Sequence, residues 1–156
     1  MNTALHFFLY KQIIKAGVFK ASSIKVAEAS NDGEIEVWGD GKQTRSFMFI
    51  DDCLDGTFKI FNGHSSEVYN LGSSEQVSIN QMIEMIEEIG DYKVEKNYQL
   101  DKPKGVRGRS SDNQKIMSDF DWGPKTKLYD GLKITYKWIY DQIVSGENSQ
   151  KFTRGY

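Results

Sequence analysis

The sequence contains very few residues of the types that build metal sites and disulfides. Cys53 is the single cysteine, so the chain has no internal disulfide and no zinc site built on several cysteines. His6 and His64 are the only histidines, which argues against a histidine-rich metal site. With only two prolines, Pro103 and Pro124, there is no proline-rich linker. We therefore expect a protein without a metal centre.

Long apolar runs and a large net charge are also missing. No stretch approaches the roughly 18 apolar residues of a membrane span. The opening MNTALHFFLYK lacks the basic start and the small-residue cleavage site of a secretory signal. The 20 basic and 22 acidic side chains give a net charge of −2, which provides no bulk attraction to nucleic acid or anionic lipid. These absences predict a cytoplasmic protein that binds neither nucleic acid nor membrane.

Composition and hydrophobic periodicity indicate a folded α/β chain, or α+β when taken in isolation. The 156 residues include 13% aromatics, enough to build a core. Alternating polar and apolar residues predict strands, and apolar spacings of three and four predict helices. The predicted strands are Glu34–Trp38, 45–50, 68–71 and 93–100. The predicted helices are 1–17, 21–29, 51–61, 78–90, a short one at 112–117, and 128–144.

Several side chains are placed to begin these helices. Asp51 or Asp52 is expected to cap the third helix, and Ser78 with Gln81 forms the S-x-x-Q pattern of a capping box. Asp112 is expected to cap the short helix and so to fix the basic loop before it, residues 102–109. Three acidic residues of the 78–90 helix are predicted to face solvent: Glu84, Glu87 and Glu88.

Two glycine-containing segments carry arginines suited to an anion. WGDGKQTRSFMFIDD places Arg45 behind a glycine turn, and GVRGRSSD places Arg107 and Arg109 between glycines. A guanidinium fork matches phosphate oxygens, and two converging forks would suit a diphosphate. On the residues alone, solvated loop arginines or surface ion pairs remain the alternative. Nearby polar groups could orient sugar or phosphate oxygens: Gln43, Thr44 and Ser110.

Four segments in order resemble the C-terminal half of an extended short-chain dehydrogenase/reductase. They are WGDGKQTRSFMFIDDC, VYNLGSSEQVSINQM, KPKGVRGRSSDN and DWGPKTKLYDGLKITYKWI. The resemblance covers roughly 35–142 and points to the NAD-dependent epimerase/dehydratase family, in particular its GDP-mannose 3,5-epimerases. It implies the C-terminal part of a Rossmann-type enzyme, without the dinucleotide-binding half. Residues 20–145 would form the nucleotide-sugar-binding portion, 1–19 an atypical helical segment and 146–156 a polar tail.

The resemblance also implies which residues bind substrate. Arg45 and Arg109 correspond to arginines that grip the diphosphate of a nucleotide-sugar. Gln43 and Thr44 lie where the family contacts the same substrate. Lys25, within IKVAEA, resembles a lysine that also reaches the ligand. The implied ligand is therefore a GDP-mannose-like nucleotide-sugar.

The family's cofactor and catalytic motifs are not matched. NAD binds in the family to a G-x-x-G-x-x-G turn, and a Tyr-x-x-x-Lys pair takes the hydroxyl proton; neither occurs here in a suitable context. Lys20 is an imperfect match to the family's catalytic lysine, and Cys53 resembles a cysteine that is not catalytic. We expect NAD in complete family enzymes, no cofactor for this chain alone, and no epimerase activity from it.

Two functions remain open besides that of the substrate-binding portion of an enzyme. The chain could be a non-enzymatic remnant or interaction module that binds nucleotide-sugars or a partner. It could also be a helical interaction protein built around 1–29. Exposed faces, including the edge at 68–71, are expected to permit homo-oligomers.

Overall fold

A computed structural model describes residues 33–103 and 105–144. Within these residues the fold is mixed α/β, as predicted. The strands are β1 (Glu34–Trp38), β2 (Thr44–Ser46), β3 (Gln76–Ser78) and β4 (Glu95–Gln99). The helices are α1 (Ile50–Asn62), α2 (Ile79–Gly90), α3 (Gln114–Phe120) and α4 (Leu128–Val144). The predicted segments 1–17, 21–29 and 146–156, with Lys20 and Lys25, lie outside the described residues.

The strands form two separate pairs. β1 runs parallel to β4, with Val37 opposite Tyr98, and its alternate residues Ile35 and Val37 are buried. β2 runs antiparallel to β3, with Arg45 opposite Val77. Because β3 leads directly into α2, this second pair holds Arg45 near the start of that helix.

The core lies where β1, α2 and α4 meet. α2 presents the predicted apolar stripe, and α4 packs against it. The most deeply buried members are Ile35, Met82, Ile83, Ile86, Leu132 and Ile139. Each such side chain contributes about 1.5–3 kcal/mol when removed from water. None of the helices in the described part of the chain has the length and apolar character to cross a membrane.

The capping box predicted for α2 is confirmed. The Gln81 amide donates to Ser78 Oγ at 3.1 Å, and the Ser78 amide donates to Gln81 Oε1 at 2.8 Å. At the other end, Asp91 adopts a left-handed conformation with φ 57° and terminates the helix just after Gly90, as predicted. The N-terminus is therefore fixed by local side-chain hydrogen bonds and the C-terminus by the backbone conformation of Asp91, whose amide donates to Glu87 O and Glu88 O.

The prediction that Glu87 faces solvent is wrong. Its side chain is only 1% exposed, and its carboxylate accepts hydrogen bonds from the Val94 amide at 3.1 Å and from Lys93 and Lys96 at 3.3 Å. Burial acts to raise the pKa of Glu87, but these hydrogen bonds and the Lys96 charge outweigh it and hold the pKa below its ordinary value. These hydrogen-bond partners of Glu87 belong to the segment that follows α2, and the helical periodicity of α2 carries no information about that segment.

Two predicted strands are also corrected. The strand at 45–50 is limited to β2, because β3 offers only three residues for pairing and residues 47–49 leave the ladder before α1 begins. The segment 68–71 is not a strand, because no described strand lies beside it to complete a ladder. Apolar alternation predicted extended backbone in both places but could not supply the partner strand.

The N-terminus of α1 differs from the prediction, whereas its C-terminus agrees to within one residue. Phe49 occupies the N-cap position without a side-chain cap. Asp52, predicted as a capping residue, is buried and its carboxylate accepts a hydrogen bond from the Thr126 amide at 2.9 Å. Asp51 also lies inside the helix, which ends at Asn62, one residue beyond the predicted end. Asp52 thus ties α1 to the segment before α4 instead of closing its own helix.

Candidate functional site

A cavity of about 640 Å³ lies between α1, the segment 70–73, the segment 109–111 and α4. Its wall is mostly apolar, with phenylalanines from the β2–α1 connection and leucines from α4. Polar groups come from the loops on the other side. The side chains that define it are Arg45, Phe47, Met48, Phe49, Cys53, Asn70, Leu71, Ser73, Arg109, Ser110, Ser111, Lys127, Leu128, Leu132 and Thr135.

The charged groups around this cavity are all of one sign. Arg45, Arg109 and Lys127 contribute to the wall, whereas no aspartate or glutamate among the described residues does so. The side chains of Arg109 and Lys127 make no hydrogen bond or ion pair with the described residues, and both are exposed. An anion in the cavity would therefore meet cationic groups that are not engaged in ion pairs with the described residues.

Arg45 is positioned by backbone carbonyls. Its Nη1 donates to Thr44 O at 2.6 Å and to Val106 O at 2.8 Å. The Thr44 amide in turn donates to Arg107 O at 2.9 Å. β2 is thus joined to the start of the loop that carries Arg109, and both arginines predicted from the sequence reach the same cavity.

Gln43 and Thr44 are adjacent to this wall but are not among the residues that line it. Gln43 Nε2 donates to Trp38 O at 3.0 Å, and its buried Oε1 has no hydrogen-bond partner among the described residues. Thr44 Oγ1 donates to Gln76 Oε1 at 2.9 Å. The Gln43 side chain is thus bonded to the end of β1 and the Thr44 side chain joins β2 to β3, and their contact with a ligand stays a prediction.

Asp112 acts locally, at the start of α3. Its Oδ1 accepts a hydrogen bond from the Gln114 amide at 3.0 Å, although Asn113 occupies the N-cap position. Asn113 was not predicted. Its Nδ2 donates to Gly72 O at 2.7 Å, and its Oδ1 accepts from Ser111 Oγ at 2.7 Å. The bonds that hold the loop against the 72–73 segment are thus made by Asn113, which no helix-start pattern reveals, and a loop-fixing role of Asp112 stays a prediction.

Cys53 lines the cavity from the first turns of α1 and is half-buried. Burial raises the pKa of its thiol, while the hydrogen bond of Thr57 acts in the opposite direction. The thiol is therefore neutral near pH 7 and is a poor nucleophile there. A half-buried neutral thiol of this kind is typical of a small packing residue.

Lys127, a cation of the wall that was not predicted, lies just before α4 in a region with no sequence signal for ligand binding.

The described residues do not fit the glycine-rich NAD site of a Rossmann fold. The turn after β1 has glycines at 39 and 41, but it leads to the short strand β2 instead of a helix. A Cβ at Gly41 would overlap the Asn80 side chain, so this glycine allows close packing and not approach of a cofactor. The spacing Tyr98–Lys102 likewise lies away from the cavity wall. The arrangement can hold an anion, but no carboxylate, imidazole or phenol of the described residues lines it for proton transfer.

Comparison with known proteins decides the family. A family model described as GDP-mannose 4,6 dehydratase matches residues 18–135. The chain belongs to this family. Its members are sugar-nucleotide epimerases and dehydratases with an extended short-chain dehydrogenase/reductase fold, which confirms the resemblance carried by the arginine segments.

Three relatives show the extent of the similarity. GDP-mannose 3,5-epimerase of Arabidopsis thaliana is 43% identical over 79% of this chain and 32% of its own length. UDP-glucuronic acid 4-epimerase of Bacillus cereus, solved with UDP-glucuronic acid and NAD, is 31% identical with a TM-score of 0.73 over 81% of this chain and 40% of that chain. UDP-glucose 4-epimerase of Thermotoga maritima, solved with UDP-glucose, has a TM-score of 0.75 at 27% identity, over 83% of this chain and 41% of that one. The chain thus spans about a third of the Arabidopsis protein and two fifths of the solved enzymes.

Proposed function

We propose that the cavity binds the diphosphate of a nucleotide-sugar, with GDP-mannose as the ligand to test first. Arg109 supplies the guanidinium that has no partner among the described residues, and Arg45 and Lys127 add positive charge beside it. Gln43, Thr44 and, outside the described residues, Lys25 belong to the same proposal through the family resemblance. GDP-mannose appears in the name of the Arabidopsis relative.

The observation that carries this proposal is the one-signed wall of the cavity. A hydrogen bond between a charged donor and an acceptor contributes about 1.5–3 kcal/mol, and a bidentate guanidinium adds geometric selection for phosphate oxygens. The apolar part of the wall, with Phe47, Leu128 and Leu132, offers surface to the less polar parts of a ligand. A small anion with an attached organic group therefore fits this cavity better than a polyanion does.

We further propose that this chain by itself binds its ligand without converting it. Binding and orientation are what the described wall can supply, and the proton-transfer groups and NAD site of the family are not among its residues. In a complete enzyme such binding would hold the sugar ring against reactive groups, which can provide much of a rate enhancement. Turnover of GDP-mannose by the purified chain would overturn this part of the proposal.

The test of binding uses isothermal titration of the purified chain with GDP-mannose. Arg109→Ala is expected to weaken binding by about 10- to 100-fold, the equivalent of one charged hydrogen-bonding group. Arg107→Ala is the matched control, because Arg107 belongs to the same exposed loop but does not line the cavity. Equal losses in the two variants would show that general loop charge, and not this site, attracts the ligand.

A second candidate function, a protein-interaction module, is favoured by exposed apolar side chains. Phe61, in the last turn of α1, is 75% exposed, and Val68 is 86% exposed. Apolar groups left in water are common where proteins associate, so we propose that the chain also forms homo-oligomers through such faces. Light scattering should show a mass that rises with concentration in the wild type and less in Phe61→Ser. A monomer at every concentration would exclude this function.

A further inference from the structure

We propose that Asn113 is a positioning residue that holds Arg109 at the cavity. This inference rests on the proposed binding of a nucleotide-sugar diphosphate. Asn113 is not part of the cavity wall, whereas Arg109, Ser110 and Ser111 are. Its effect on a ligand must therefore pass through the loop.

The downstream end of the loop that carries Arg107 and Arg109 is held by a compact set of contacts around Asn113. Its amide nitrogen donates to Gly72 O, and its amide oxygen accepts from Ser111 Oγ, both at 2.7 Å. The Ser111 amide adds a bond to Ser73 O at 3.3 Å. The two chain segments approach so closely that a Cβ at Gly72 would lie 2.6 Å from Ser111 Cβ. Asn113 thus links the loop to the 72–73 side of the cavity.

The upstream end is held independently by β2. Arg45 Nη1 reaches Val106 O at 2.8 Å, and the Thr44 amide reaches Arg107 O at 2.9 Å. Arg109 lies between these two attachments, and its own side chain has no bond to the described residues that would fix it. The position of its backbone, and with it the region that its guanidinium can reach, is therefore set by how firmly both ends of the loop are held.

Asparagine is suited to this position because its side chain donates and accepts at once. Alanine at 113 would remove both bonds. Aspartate would still accept from Ser111 Oγ but, when ionised, could not donate to Gly72 O and would place a negative charge beside that carbonyl. The protonated acid would recover a donor. Asn113→Asp therefore gives a variant whose loop attachment depends on pH.

The first test measures GDP-mannose affinity by isothermal titration in a double-mutant cycle. Asn113→Ala should weaken binding by about 3- to 10-fold, the range of one or two neutral hydrogen bonds. Asn62→Ala, an exposed asparagine outside the cavity wall, should leave it unchanged. In the Arg109→Ala background the Asn113→Ala loss should disappear, because the group being positioned is gone. A loss that persists undiminished in that background would overturn the positioning role.

The second test uses pH, since a general loss of structure would not restore binding on acidification. At about pH 7 Asn113→Asp should bind as weakly as Asn113→Ala, and near pH 4 it should approach the wild type measured at the same pH. Asn113→Ala should show no such recovery. If the ratio of the Asn113→Asp affinity to the wild-type affinity were the same at the two pH values, the proposal would be contradicted.

Failure of this inference can be distinguished from failure of the proposed function. If the wild type binds and Asn113→Ala binds equally well, the inference is wrong and the proposed function stands. If the wild type does not bind GDP-mannose, the proposed function fails. Hydrogen exchange then judges the loop attachment separately: faster exchange at the Ser111 amide in Asn113→Ala supports it, and unchanged exchange overturns it.

Discussion

The α2–β4 side of the molecule and the cavity treat charge in opposite ways. On the first side, the buried carboxylate of Glu87 is surrounded by the Val94 amide and by Lys93 and Lys96. At the cavity, Arg109 and Lys127 form no ion pair with a carboxylate in the described part of the chain, since the nearby carboxylates of Asp52 and Glu75 bond the backbone amides of Thr126 and Leu128. The carboxylate of Glu87 is paired within the fold, whereas the cations of the cavity are available to a bound anion.

This difference separates charged groups that stabilise the fold from charged groups that are available to bind a ligand. A buried charge that loses its partners is costly, so the groups around Glu87 must be present for the fold. An exposed cation without a partner contributes little to the fold, and its removal should be felt only when a ligand is added.

The largest effect is expected from Glu87→Ala. Removing the carboxylate leaves the Val94 amide and the ammonium group of Lys96 without their buried partner, so the free energy of unfolding should fall by about 3 kcal/mol. Urea denaturation followed by circular dichroism measures this. Glu88→Ala is the control, because Glu88 is exposed on the same helix and should change stability by less than about 0.5 kcal/mol. Equal losses in the two variants would contradict a special role for the buried carboxylate.

The next effect concerns the cavity. Arg109→Ala should lower GDP-mannose affinity by about 2 kcal/mol while leaving the unfolding free energy within about 0.5 kcal/mol of the wild type. Arg109→Lys should recover only part of the affinity, because an ammonium group lacks the bidentate fork. If Arg109→Ala unfolded as readily as Glu87→Ala, its charge would belong to the fold and the contrast would disappear.

A smaller effect should appear in the pH dependence of stability. The pKa of Glu87 is held below its ordinary value in the folded chain, so its stabilisation is fully present above the unfolded pKa of about 4.3 and is lost as pH falls through the lower folded value. The urea midpoints of the wild type and Glu87→Gln are compared over a range of pH. The difference between the two midpoints should shrink as the pH is lowered through and below about 4. A difference that stays constant with pH would show that Glu87 does not act through its charge.

The smallest effect is expected for Lys127→Ala. Lys127 is exposed at the edge of the cavity and is surrounded by solvent, so its attraction for a phosphate is screened. Affinity for GDP-mannose should fall only two- to fivefold, roughly 0.5–1 kcal/mol, and the loss should vanish at high salt. A loss as large as that of Arg109→Ala would show that Lys127 holds the ligand as directly as Arg109 does, and would contradict this ranking.

The sequence predicts local structure well where one segment contains all the partners. Ser78 and Gln81 form their capping box within a single turn, and the apolar stripe of α2 follows from its spacing. It fails where the partner comes from elsewhere. Glu87 is buried by lysines that follow the helix, and Asp52 turns to Thr126 instead of its own helix.

The candidate site divides in the same way. Arg45 and Arg109 are predicted by their glycine-flanked motifs, and the structure brings both to one cavity. Lys127 and Asn113 are missed because nothing local marks them. Lys127 reaches the cavity only through the placement of α4, and Asn113 joins Ser111 to Gly72, which lies 41 positions earlier in the chain.

The most direct test of the central claim compares two ligands on the wild-type chain. GDP-mannose and guanosine share a base and a ribose, but only GDP-mannose carries the diphosphate that the unpaired cations are proposed to hold. Isothermal titration should show saturable binding of GDP-mannose at least about tenfold tighter than that of guanosine, a difference of about 1.4 kcal/mol. Equal affinity for the two ligands, or no binding of GDP-mannose, would contradict the account.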